Sequence, residues 1–263
     1  MNNIFFLILF LIPFITNAIE YEHDGYLIKY KSDLTFKKID ESQLNKYKNN
    51  KNIEYIEPNY IYHTFANDVK WDMTKIKADK AWKIEDGSSN EVIVAVIDTG
   101  IDYKHEDLKY NIWSDNKGNH GYDFANNDSD PMDDNGHGTH CSGTIGAMHN
   151  NYGISGVSAN VKIMGLKFLD FNGSGSLNNA VKSIKYAVDH GAKILSNSWG
   201  GGGYSKAMFD VINYAKKQGV LFIAASGNDG SKNPMYPASY DLDNIISVAA
   251  SDLNDKKASF SNK

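Results

Sequence analysis

The chain of 263 residues has no arginine: all 27 of its basic residues are lysine. Planar, bidentate clamping of phosphates or base edges by guanidinium groups is therefore excluded. A net charge of −5, with no basic cluster, argues against nucleic acid as the partner. The 29 asparagines complete a lysine/asparagine bias that reflects the composition of the coding sequence and not the chemistry. Cys141 is the only cysteine, so no disulfide forms within the chain, and stability must come from a core or from metals. Five prolines and 22 glycines exclude collagen-like and proline-rich classes. No run reaches the ~20 apolar residues that span a bilayer. What is there, 41% apolar and 22% charged residues, is the make-up of a globular chain with one large domain and appendages, expected to be a monomer.

Residues 4–15 form an apolar run, and Thr16-Asn17-Ala18 ends it with small residues. This predicts a secretory signal peptide over residues 1–18, removed after Ala18, and hence a secreted protein. No lysine precedes the run, so only the terminal amine supplies the usual positive charge. Residues 19–65 make a small charged unit. Tyr26–Tyr30 and Ile53–Glu57 read as strands, and the lysine-rich stretch between them could hold a helix. From residue 66 the pattern changes. β-branched runs at 92–97, 161–168, 193–196, 220–225 and 245–249 alternate with helical stretches such as Leu177–Asp189 and Ser205–Gln218. That alternation predicts an α/β fold with three layers and a mostly parallel central sheet.

Ligands bind at the carboxyl ends of the strands in such sheets. Asp98, Asn197-Ser198 and Ser226-Gly227-Asn228 fall there, and His137 lies among glycines at the start of a helix. Each alone has an ordinary explanation: a helix cap, a turn, a loop. Their conjunction is far more specific. Ile97-Asp98-Thr99-Gly100, then Asn135–Gly143 (NGHGTHCSG), then Ser196–Gly201 (SNSWGG), then Ala224–Gly230 (AASGNDG) resemble, in order, the signature series of the subtilisin-like serine proteases.

The resemblance implies a triad carboxylate at Asp98, a general base at His137 and an oxyanion-hole amide at Asn228. His140 would be a buried structural residue of the histidine helix. Ser198, Trp199 and Gly200 resemble the strand that pairs with the substrate backbone, and Gly173, Ser174 and Gly175 the opposite edge. Ala225, Ser226 and Gly227 complete the expected substrate contacts. Cys141, one helical turn after His137, resembles the buried free cysteine of the thermitase and proteinase K groups and is read as inert. The family's Gly-Thr-Ser-Met-Ala-like segment is absent. Ser142, inside the histidine helix, cannot replace it, so the nucleophile is expected beyond Lys263 and residues 66–263 form an incomplete peptidase domain.

Residues 98–134 hold ten carboxylates against three lysines. This is a solvated loop region or a set of hard oxygen ligands for Ca2+. The resemblance implies one or two structural calcium sites. One comprises Asp107 and Asn150, the loop carbonyls of Met148, Tyr152 and Ile154, and Asn67. The other comprises Asp123, Asn126, Asp128 and Asp130. It also implies that residues 19–65 are an inhibitory propeptide, Ile53–Tyr60 resembling its end, with maturation near Tyr62–Ala66. The substrate class would be polypeptide. Two other classes stay open: a non-catalytic pseudoprotease that holds peptides or calcium, and, more distantly, a dinucleotide-binding α/β protein, which the missing G-x-G-x-x-G disfavours.

Overall fold

The computed structural model describes residues 23–31, 36–60, 71–89, 91–201 and 203–263. The expected signal peptide, the maturation region Tyr62–Ala66 and Asn67 lie outside them. The chain divides into two compact units, Met1–His63 and Thr64–Lys263.

In the first unit, β1 (His23–Tyr30) runs antiparallel to both β2 (Phe36–Ile39) and β3 (Ile53–Tyr60), in the order β2-β1-β3. Ile28 and Ile39 are buried. The stretch expected to hold a helix does hold a short one, α1 (Leu44–Tyr47), preceded by a tighter turn at Glu41–Gln43, and it also supplies the strand β2. Ile39 is buried while Lys37 and Lys38 are exposed, and pairing with β1 holds this short segment as a strand.

The second unit opens with two short helices, α2 (Trp71–Lys75) and α3 (Ala78–Ala81). Its sheet has six strands: β4 (Ile93–Asp98), β5 (Gly121–Asp123), β6 (Lys162–Lys167), β7 (Ile194–Asn197), β8 (Leu221–Ala225) and β9 (Ile245–Val248). All neighbours are parallel, in the order β5-β6-β4-β7-β8-β9. The pleat sends alternate residues to opposite faces. Ala95, Ile97, Met164, Leu166, Leu195 and Phe222 pack with α5 (Leu177–Asp189) and α6 (Lys206–Lys217). Val96 and Ile163 point the other way, into a smaller cluster with Leu108 and Ala147, beside α4 (His137–Gly146). The result is the expected three-layer α/β/α architecture.

α5 and α6 form where apolar residues recur at helical spacing: Ala180, Ile184, Ala187 and Val188 in one, Met208, Val211, Ile212 and Ala215 in the other. Both start at a serine cap, Ser176 accepting from Asn179 N and Ser205 from Met208 N. On the α4 side the sheet is not covered throughout. Register places Leu221, Ile246 and Val248 on the same face as Val96, and they are 42–48% exposed.

Candidate active site

Asp98 is the last residue of β4 and is fully buried. Its Oδ1 accepts from Thr99 N at 2.7 Å and lies 2.7 Å from His137 Nδ1. A carboxylate only accepts, so Nδ1 carries the proton and Nε2 is left as the basic nitrogen of the ring. Asp98 Oδ2 is buried and unpartnered. His137 opens α4, and its side chain is about half exposed.

Three local devices set this geometry. Gly138 lets α4 approach the Asp98 turn: a Cβ there would lie 2.2 Å from Gly100 O and 3.2 Å from Asp98 Cβ. Thr99 Oγ1 accepts from Gly138 N and donates to Asp133. Asp133 in turn accepts from Asn135 N, Gly136 N, Thr139 N and Thr139 Oγ1. Burial alone would raise the Asp133 pKa, but these donors outweigh it and pull the carboxyl down to about 2. Nothing in the sequence singles Asp133 out for this role; there it is one of ten crowded carboxylates.

The other expected residues are placed as follows. Cys141 is half-buried with Sγ 4.0 Å from His137 Nδ1. Burial pushes its thiol pKa up, with Asp98 and Asp133 adding to the rise and a hydrogen bond with Ser198 opposing it. The thiol is therefore protonated and inert at neutral pH. Ser142 is buried and its hydroxyl donates to Gly138 O at 2.8 Å, which removes it as a nucleophile. His140 corrects the sequence expectation. It is exposed, lining a cavity of about 540 Å3 with Asp102, His105 and Asp107. Three residues on from His137 its side chain follows the open flank of α4, which the motif alone cannot reveal.

The expected substrate contacts fall around two cavities. One, of about 260 Å3, is lined by Ser198, Ala225, Ser226, Gly227 and Asn228 at the ends of β7 and β8. The other, of about 450 Å3, brings Gly173, Ser174 and Gly175 opposite Trp199 and Gly200. Trp199 is fixed as a wall by its Nε1 donating to Ile97 O at 2.8 Å and by edge-to-face packing on Phe168. Asn228 is exposed, and its loop is held by a residue the sequence did not single out. Asn262 Oδ1 accepts from Asp229 N and Ser231 N, and its backbone N donates to Gly227 O.

Of the expected cation ligands, Asp107 is buried with Oδ2 accepting from Ile154 N at 2.8 Å. Its Oδ1 is buried with no partner. Gly153 leaves the space for this approach; a Cβ would sit 2.2 Å from Oδ2. Asn150 Oδ1 accepts from Tyr152 N, and Met148 N donates to Asp107 O. In the second group both Asp123 oxygens accept from Asn126, Asp128 Oδ1 accepts from Asp130 N, and Asp130 Oδ1 accepts from Tyr103 OH. Both oxygens of Asp123 and one oxygen each of Asp128 and Asp130 thus already accept hydrogen bonds.

Among curated proteins, the chain is 42% identical to a thermophilic serine proteinase of Bacillus sp. (strain AK1), over 81% of this chain and 53% of that one. It is 42% identical to thermitase of Thermoactinomyces vulgaris, over 71% of this chain and 64% of that one. A third relative, the minor extracellular protease Epr of Bacillus subtilis, is 39% identical over 75% of this chain and 29% of its own length. The chain thus spans between about a quarter and two thirds of the length of these relatives. Residues 89–263 match the subtilase family; that match takes in Asp98, His137 and the Asn228 loop together, and on it the chain belongs to the subtilases.

Proposed function

We propose that this chain is part of a secreted serine endopeptidase precursor, with the serine supplied beyond residue 263. The observation that carries the reading is the 2.7 Å bond between buried Asp98 and His137 Nδ1 at the carboxyl end of the sheet. Asp98 holds the imidazole in the tautomer whose Nε2 accepts the serine proton, and stabilises the imidazolium that forms. His137 then returns that proton to the leaving amine. The Asn228 amide donates to the oxyanion; losing such a donor costs roughly 10²–10³ in kcat in subtilisin itself, the source of that figure. A polypeptide lies along Ser198–Gly200 and Gly173–Gly175, adding a strand between two edges. Residues 19–65 act as an intramolecular inhibitor before removal.

The test is turnover of a chromogenic peptide by the chain extended through its reading frame. Inhibitor-sensitive hydrolysis lost in His137→Ala and Asp98→Ala is expected. An inert extended chain overturns the reading in favour of a pseudoprotease. The 263-residue chain alone is expected to be inactive; robust turnover by it would reveal another nucleophile.

Structural calcium is part of the proposal. The unpartnered buried Asp107 Oδ1 beside the Asn150 loop fits a hard cation, which would neutralise a buried charge. The Asp123–Asp130 group would bind more weakly, since a cation there must displace Asn126. A ligand bound only by the folded state at a hundredfold excess over Kd adds roughly 2.7 kcal/mol. Thermal unfolding should therefore rise with calcium and fall with chelator. Asp107→Ala should abolish most of that difference and Asp123→Ala little of it. Equal midpoints with and without calcium would remove calcium from the proposal.

A further inference from the structure

Among the described residues, one of the large fully buried side chains is a cation. Lys167, the last residue of β6, is 1% exposed. Burying an ammonium is costly unless every donor is satisfied, and an apolar side chain of similar shape would fill the same space more cheaply. What the ammonium does here is join three segments. Nζ donates to Thr99 O at 3.0 Å, to Leu169 O at 2.9 Å and to Asp134 Oδ1 at 2.6 Å. Thr99 follows Asp98 and binds it through its own N–H. Asp134 lies three residues before His137. Leu169 leads into the edge Gly173–Gly175. A second link runs between the last two segments, Asn135 Nδ2 donating to Phe171 O at 2.9 Å.

We propose that Lys167 is a positioning residue that holds the Asp98 turn, the loop before His137 and the start of the 169–175 edge in one fixed arrangement. It touches neither substrate nor reacting atoms; it acts through Thr99, Asp134 and Leu169. The proposal rests on reading the site as a peptidase's, but its test needs no turnover.

The readout is the far-downfield proton NMR resonance of His137 Nδ1–H in the 263-residue chain, a signature of the charge-assisted bond to Asp98. It is assigned by its loss in His137→Ala. Lys167→Met should shift it upfield or broaden it away. Ile184→Ala, a core change on α5 that removes none of these hydrogen bonds, should lower the unfolding midpoint and leave the resonance in place. A folded Lys167→Met chain that keeps the wild-type resonance overturns the proposal. If Lys167→Met does not fold, Asp134→Asn decides, because Asp134 is half-exposed and its loss spares the core: a displaced resonance supports the proposal and an unmoved one overturns it. Absence of the resonance from the wild-type spectrum overturns it as well, since there would be no bond to position. The outcomes for the Lys167 and Asp134 variants leave the peptidase reading untouched, because that reading is judged by turnover of the extended chain.

Discussion

The two ends of the central sheet differ. Over β6 and β4 both faces are covered, and the Asp98–His137 pair sits where α4 meets the sheet, held by the hydrogen bonds of Thr99 and Asp133. Over β8 one face is covered by α6, while the opposite face, continued on β9, is bare, with Leu221, Ile246 and Val248 half exposed. The Asn228 loop projects from that second end, held chiefly by Asn262. The acid–base half of the site is therefore built into a closed core. The oxyanion half rests on a few polar contacts at an open edge.

Removing matched side chains should expose this contrast most strongly. Ile163→Ala, in the sealed half, should cost about 4 kcal/mol in chemical denaturation, and Ile246→Ala, on the bare face, only about 1 kcal/mol. Equal losses would mean that the second face is covered in solution. Next in size, Gly138→Ala should cost about 3 kcal/mol, because its methyl group meets Gly100 O and drives α4 from the Asp98 turn. It should displace the His137 resonance and leave hydrogen exchange of the Asn228 loop unchanged. Asn262→Ala should do the reverse. A loss of about 2 kcal/mol is expected from the orphaned N–H groups of Asp229 and Ser231. Faster exchange at 228–231 should accompany an unmoved His137 resonance.

The smallest effect belongs to Asp133. Its pKa of about 2 in the folded chain lies below the ordinary 3.8. Its stabilisation is therefore complete above pH 4 and lost as pH falls from about 4 towards 2. Because the carboxylate is only half-buried, solvent screening reduces its worth to roughly 1 kcal/mol. Asp133→Asn should remove that amount at pH 7 and flatten the acid limb of the stability curve. An unchanged acid limb would show that the folded and unfolded carboxyls titrate alike.

Local signals in the sequence determined the alternating parallel fold, the placing of Asp98 at a strand end and of His137 at a helix start, and the serine caps of α5 and α6. A strand or helix announces itself through periodicity, and a motif packs its chemistry into a few adjacent residues. The same locality explains the failures. The strand Phe36–Ile39 beside the expected helix was not foreseen because only pairing with β1 makes it one, and His140 lies open because of what does and does not pack against α4. Lys167 reaches partners 33 and 68 positions away, and Asn262 grips a loop 31 and 33 positions upstream. Asp133, by contrast, owes its low pKa to donors at 135, 136 and 139, close at hand in the chain, and only the turn that aims them was hidden. No window of sequence contains the partner sets of Lys167 and Asn262. Only the closed chain decides which lysine is buried, which carboxylate is saturated and which, like Asp107, keeps an oxygen free.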